Sequence, residues 1–109
     1  MSRKGTPDTE YFWDLVEPLL AEPDIDEGSL MGFPCLRVHG DFFGTCDHRT
    51  GDLIVKVDRS RVAELIEAGV GQPFAPAGRV FKEWVLIEER DDDRWLALLG
   101  EAREFVAGS

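Results

Sequence analysis

The middle of the chain, residues 31–57, alternates apolar and polar residues and is interrupted by turn residues at two places. Gly40-Asp41 suits a two-residue type II′ turn, and Gly51 suits the end of a second turn. Such runs, separated by tight turns, are typical of consecutive antiparallel strands. The sequence therefore predicts three short strands in this stretch, joined as hairpins.

Helical periodicity precedes these strands. A first helix is predicted to start at Asp8 or Thr9 as its cap and to end near residues 21–22. Pro18 lies within the helix and predicts a kink one turn earlier, where the Asp14 carbonyl loses its donor. Residues 22–28 are predicted to be an acidic loop. The apolar face of the helix comprises Phe12, Leu15, Val16, Leu19 and Leu20.

The second half of the chain predicts two more helices and one or two strands. Asp58 can cap a helix that ends at Gly69. A loop over residues 71–78, with a short extended piece around Phe74, and a longer strand over residues 80–89 follow. The last helix has the acidic residues 91–93 at its start, where the helix dipole is positive. The apolar residues at helical spacing are Val62, Leu65 and Ile66 in the earlier helix, and Trp95, Leu98, Leu99, Ala102, Phe105 and Val106 in the last.

These elements predict an α+β fold of two layers, an antiparallel sheet with helices on one face, in the order α-β-β-β-α-β(-β)-α. Residues 1–7 are predicted to be a disordered tail and residues 8–109 a single domain. With Gly40-Asp41 as the turn, the core face carries Leu36, Val38, Phe43, Thr45, Leu53, Val55 and Val57. The second face then carries Cys35, Arg37, His39, Phe42, Gly44, Cys46, Ile54 and Lys56.

The charge of the chain restricts its partners. Its 109 residues carry 22 Asp and Glu against 12 Lys and Arg, a net charge of −10. Such a surface repels phosphate backbones and anionic membranes. The N-terminal residues are polar and lack an apolar signal region, so we expect a cytoplasmic, soluble protein with no membrane contact.

The strands, together with the segments 61–66, 72–74, 78–79 and 82–85, resemble the TfoX N-terminal domain family of small bacterial proteins. The resemblance runs from about Tyr11 to Val106. It implies an α+β fold similar to type III secretion chaperones and to YjbR-like proteins. The family includes regulators of natural competence, and some related domains are described as DNA-binding. The full-length regulators carry a second, helical domain, which we do not expect here.

Two cysteines and two histidines lie close together in the sequence. In the predicted register Cys35 and Cys46 are cross-strand neighbours, and we expect both to be reduced thiols. A zinc site is not expected, because His39 lies about 13 Å along the strand from Cys35. Cys46 and His48 point the same way along a strand, which leaves a thiolate nucleophile open, but no orienting group accompanies them. We therefore expect no metal, no cofactor and no enzymatic activity.

Interaction is the function that remains. Basic residues interleaved with aromatic residues could form a stacking surface for nucleic acid. At this net charge we favour the interpretation that the aromatic residues pack in the fold and the basic residues face solvent. We therefore expect no DNA binding by this chain alone. We expect a regulatory or interaction module that acts through a protein partner or as a homodimer. The alternatives are a nucleic-acid-associated competence-type regulator and, third, a small-molecule binder or enzyme. The candidate interaction face is Arg37, His39, Phe42, Ile54, Lys56 and Trp84. The basic and aromatic residues are Arg37, Arg49, Lys56, Arg59, Arg61, Arg79, Lys82, Phe42, Phe81 and Trp84.

Overall fold

The computed structural model describes residues 7–30 and 32–108, and in this part of the chain three α-helices stand against an antiparallel sheet. The helices are α1 (Pro7–Val16), α2 (Arg59–Glu67) and α3 (Asp92–Ala107). The strands are β1 (Ile25–Leu30), β2 (Phe33–Val38), β3 (Asp41–Cys46), β4 (Leu53–Lys56), β5 (Gln72–Pro73) and β6 (Trp84–Ile87). They lie in the order β1-β2-β3-β4-β6-β5 with antiparallel neighbours throughout. The predicted α+β class is confirmed.

Each of these helices buries apolar side chains against the same face of the sheet. Phe12 of α1, Leu65 of α2 and Leu99 of α3 join Val55 and Ile87 of the sheet in one hydrophobic cluster. The two-layer arrangement is therefore confirmed, and so is most of the predicted core. The predicted core residues that are almost inaccessible to solvent are Leu36, Val38, Phe43, Leu53, Val55, Val57, Trp95, Leu98 and Leu99.

The first helix changes form ahead of its proline. α1 ends at Val16, and a short 3-10 helix continues over Glu17–Ala21. Because Pro18 has no N–H, the Asp14 carbonyl cannot accept the next helical hydrogen bond, and the tighter 3-10 turn replaces it. The predicted disruption at Pro18 is thus present, as a change of helix type one residue before the proline.

Residues 22–28, predicted to be a loop, contain the start of a strand. β1 pairs with β2 from Ile25 opposite Val38 to Leu30 opposite Phe33. The prediction was wrong because the sequence of β1 shows little hydrophobic alternation. Ile25 is the only one of its residues that is buried. Two ion pairs fix the chain before β1: Arg103 of α3 lies 2.7 Å from Glu22 and 2.8 Å from Asp24.

The hairpin between β2 and β3 turns one residue earlier than predicted. Val38 pairs with Asp41, so the loop residues are His39 and Gly40, with φ of 52° and 87°. Positive φ at both positions is the type I′ geometry. The prediction placed the loop at Gly40-Asp41, and both dipeptides contain the glycine that such turns favour.

A β-bulge then displaces the register of β3. Arg37 pairs with Phe42 but Leu36 pairs with Gly44, so Phe43 is an extra residue on β3. Gly44 and Cys46 therefore lie on the core face and Thr45 on the opposite face, contrary to the prediction. A Cβ on Gly44 would lie 2.7 Å from Cδ2 of Leu99, so α3 packs directly over this glycine.

The ends of α2 follow the predicted capping residues, and α3 is capped by one of the acidic residues predicted at its start. The Asp58 carboxylate accepts from the Ser60 N–H, the Asp91 carboxylate accepts from the Arg94 N–H, and Gly69 after α2 has a φ of +76°. Ile66, predicted to face the core, is 36% exposed. The strand predicted over residues 80–89 is shorter, because the Trp84 N–H donates to the Phe81 carbonyl in a turn just before β6.

Candidate interaction face

The side of the sheet that faces away from the helices is called the open face below. Its orientation is fixed by Gly28, where an added Cβ would meet Arg37 Cδ at 2.7 Å and Phe42 Cε1 at 3.1 Å. Paired residues share a face, so Thr45, Ile54 and Leu86 form one row across it. The open face carries Asp26, Gly28, Leu30, Phe33, Cys35, Arg37, Phe42, Thr45, Ile54, Lys56, Trp84 and Leu86.

The structure brings together five of the six residues predicted to form an interaction face: Arg37, Phe42, Ile54, Lys56 and Trp84 share the open face. His39 does not belong to this group, because it lies in the turn after β2 and its Nε2 is 3.6 Å from Asp24 Oδ2. The residues of β2 and β4 that face each side of the sheet were predicted correctly, whereas the position of the turn after β2 was not.

Arg37 lies across the open face in a fixed position. Its guanidinium donates to both carboxylate oxygens of Asp26, over 3.0 and 2.7 Å. The hydrogen bond lowers the pKa of Asp26 and raises the pKa of Arg37. Gly28, two residues along β1 from Asp26 on the same face, leaves room for the Arg37 side chain. The charge of Arg37 is thus neutralised within the protein, and its aliphatic part covers β1.

The centre of the open face is apolar and closely packed. Cys35 is completely buried and Ile54 is 4% exposed, although neither belongs to the helix-covered core cluster. The Cys35 thiol donates to the Gly44 carbonyl over 3.3 Å, and the Thr45 hydroxyl donates to the Pro34 carbonyl over 2.7 Å. These polar groups are therefore satisfied locally, and the centre presents little hydrogen-bonding capacity to solvent.

Apolar side chains at one end of the open face remain accessible. Leu30 is 37% exposed and Phe33 is 44% exposed, and they are paired where β1 and β2 meet. The His48 ring stacks on Phe33 with centroids 3.9 Å apart. Neither residue was predicted to belong to the interaction face, since Leu30 lies between the predicted acidic loop and the predicted strands. The available signal was the alternation along β2, which places Phe33 on the same face as Cys35 and Arg37.

Both thiols are free, and their surroundings oppose nucleophilic chemistry. Burial raises the pKa of Cys35 and of Cys46 to about 12. The predicted pairing of the two cysteines is wrong, because the bulge places Cys46 on the core face and Cys35 on the open face. Within residues 7–30 and 32–108 no group of three or more His, Cys, Asp or Glu side chains is arranged to hold a metal ion.

A shallow pocket of about 340 Å³ opens at the edge of the open face, beyond the end of β4. Lys56 and Trp84, which pair in the sheet, belong both to the predicted face and to this pocket. Its other cations, Arg59 and Lys82, were predicted only as part of a general basic and aromatic pattern, because segments distant in the sequence form the pocket. It is lined by Lys56, Arg59, Phe81, Lys82, Glu83 and Trp84.

Comparison of the chain with protein-family models, with curated proteins and with solved structures finds no match. Across the described ranges, none of the helices has the length and apolar character needed to cross a membrane.

Proposed function

We propose that the chain is a non-enzymatic interaction module that binds a protein partner through the open face. The observation that supports this most directly is the exposure of Phe33 and Leu30 beside the buried Cys35 and Ile54, on a face that no described helix covers. Apolar surface of this kind on a small domain is typical of an association site. The proposal includes a cytoplasmic location and, from the sequence resemblance, a regulatory role of the TfoX N-terminal type.

The charge distribution of the open face fits a protein partner. Arg37 is neutralised by Asp26, and Lys56 lies 4.0 Å from Glu83. The middle of the face is thereby left with apolar and aromatic groups, whereas the edge retains polar side chains. Interface centres are similarly poor in free charge and rich in aromatic residues, with a polar rim.

Site-specific photo-crosslinking tests this proposal. A photoreactive amino acid replaces Phe33 in one variant and Ile66 in another, since Ile66 is an exposed apolar residue of α2 and provides a matched control. We expect a crosslinked protein from position 33 that is absent from position 66. The captured protein is identified by mass spectrometry and purified.

Binding of the purified partner is then measured by calorimetry. Phe33→Glu should weaken binding by roughly 30-fold or more, the effect of losing an aromatic anchor of the interface, whereas Ile66→Glu should leave it unchanged. Equal crosslinking at both positions, or equal affinities of the two variants, would contradict the proposal. A crosslinked dimer of the chain, with association detected by light scattering, would identify the partner as a second copy.

The edge pocket favours a second candidate function, nucleic-acid association, because it combines cations with Phe81 and Trp84. We nevertheless expect affinity for duplex DNA weaker than the window of roughly 10⁻⁴ to 10⁻⁶ M for non-specific binders, since the net charge is −10. Fluorescence anisotropy with a labelled duplex at about 0.15 M salt measures this. Micromolar binding that weakens steeply with salt and is lost in Lys56→Ala would favour the second candidate.

A further inference from the structure

The edge pocket is built by three separate segments that backbone hydrogen bonds hold together. Lys56 ends β4, Arg59 begins α2, and residues 81–84 lead into β6. The Val57 N–H donates to the Glu83 carbonyl over 2.9 Å, and the Phe81 N–H donates to the Phe74 carbonyl over 3.0 Å. The walls are therefore fixed by the main chain.

Among the described cations, those without an ion pair are concentrated at the edge pocket. Among the described residues, Arg59, Arg79 and Lys82 make no ion pair. Two of them line the pocket, and the guanidinium of the third, Arg79, lies 5.9 Å from the centroid of the Phe81 ring on its wall. The other described cations are paired with carboxylates, namely Arg37, Arg49, Lys56, Arg61, Arg90, Arg94 and Arg103.

This arrangement is notable in a chain with nearly twice as many acidic as basic residues. Carboxylates are abundant, yet none forms an ion pair with these three cations in the described part of the chain. The pocket's own carboxylate, Glu83, lies 4.0 Å from Lys56 and offsets one charge. Asp58 accepts hydrogen bonds from the N–H and hydroxyl of Ser60 at the start of α2, and it attracts the neighbouring Arg59 only at a distance longer than an ion pair. The pocket lining thus keeps an excess of positive charge.

The same pocket offers aromatic surface. Phe81 is 39% exposed and the Trp84 side chain is half-buried. Phe74 supports Phe81 from behind, with ring centroids 5.8 Å apart. A flat ring can stack on such side chains while its charged substituent reaches a cation. The volume of about 340 Å³ lies at the lower end of the range for small-molecule sites, about 300 to 1,000 Å³.

We propose that the edge pocket binds a small organic anion that carries a flat ring, such as a mononucleotide or an aromatic sulfonate. The anionic group lies between Arg59 and Lys82, and the ring packs against Phe81 or Trp84. This site is distinct from the protein-binding surface around Phe33, which lies at the other end of the open face. Long-range repulsion from the rest of the acidic chain makes binding depend on these local contacts.

Nuclear magnetic resonance of the full chain tests the proposal. Adenosine 5′-monophosphate and naphthalene-2-sulfonate are the two probes, and adenosine and inorganic phosphate show whether the ring or the charge supplies the affinity. At least one probe should shift the indole N–H of Trp84 and the amides of Lys82 and Glu83 in a saturable manner at millimolar concentration. Absence of saturable shifts with both probes would overturn the proposal.

Charge-removing variants distinguish a local site from a general electrostatic effect. Arg59→Ala and Lys82→Ala should each weaken probe binding about tenfold, the effect of one charge-assisted hydrogen bond. Arg49→Ala makes the same change in net charge in the turn before β4, where the Arg49 side chain is 80% exposed, and should leave binding unchanged. Equal weakening by Arg49→Ala would overturn the proposal. Wild-type dispersion of the spectra confirms that the variants are folded.

Discussion

The packing of α3 over Gly44 makes a quantitative prediction about stability. An alanine Cβ at this position would lie 2.7 Å from Cδ2 of Leu99, about 1 Å inside an ordinary carbon–carbon contact. Leu99 is 1% exposed and has little room to move. Gly44→Ala should therefore lower the free energy of unfolding by about 1 to 3 kcal/mol, the usual cost of overpacking.

A double-mutant cycle isolates this contact. Leu99→Ala alone should cost about 2 to 5 kcal/mol, because it removes a buried side chain and leaves a cavity. In the double variant the alanine at position 44 no longer meets Cδ2 of Leu99, so the second substitution should add little to the cost of the first. The coupling should therefore be about 1 to 3 kcal/mol, measured by urea denaturation followed by circular dichroism.

The matched control is Gly100→Ala in α3, where an added Cβ meets nothing within 4 Å. This variant should be more stable than the wild type by up to about 1 kcal/mol, since alanine favours the helix. Additive costs of the two core substitutions, within roughly 0.5 kcal/mol, would refute the inferred contact between α3 and the bulge.

Three further predictions concern ion pairs, thiols and a helix cap. Arg103 holds the pKa of Asp24 below its ordinary 3.8, so the unfolded state binds more protons than the folded state at low pH. This contribution to stability is present above about pH 4 and is lost as the pH falls further. Arg103→Met should therefore reduce the loss of stability at acid pH, measured as the urea midpoint at each pH. Cys35 and Cys46 should react with a thiol reagent slowly in the native protein and rapidly in urea, because burial raises both pKa values; rapid native reaction would contradict the structure. Asp58→Ala should cost about 0.5 to 2 kcal/mol through loss of the α2 cap, and an unchanged thermal midpoint would count against that cap.

The parts of the fold that could be predicted from the sequence are those with local causes. The start of α2 follows from Asp58, because a capping side chain acts on an amide only two residues away, and the acidic residues 91–93 mark the start of α3. The face of β2 follows from the alternation of Leu36 and Val38 with polar neighbours. These signals need no knowledge of the rest of the chain.

The features that were missed depend on contacts between distant segments. β1 is recognisable only through its pairing with β2, since its own sequence lacks hydrophobic alternation. The bulge at Phe43 could not be located because Phe42 and Phe43 are both apolar, so the alternation fits either register. The edge pocket joins residues 56, 59 and 81–84, and only the folded chain brings their charges together.

The borders of the sheet limit how copies of this chain can assemble. In the described part of the protein the sheet ends at β1 and at β5. A strand added to β5 would find two residues, one of them Pro73, which has no N–H to donate. The β5 border therefore opposes the edge-to-edge growth that produces fibrils, and self-association on that side of the sheet is directed to the stacking of faces.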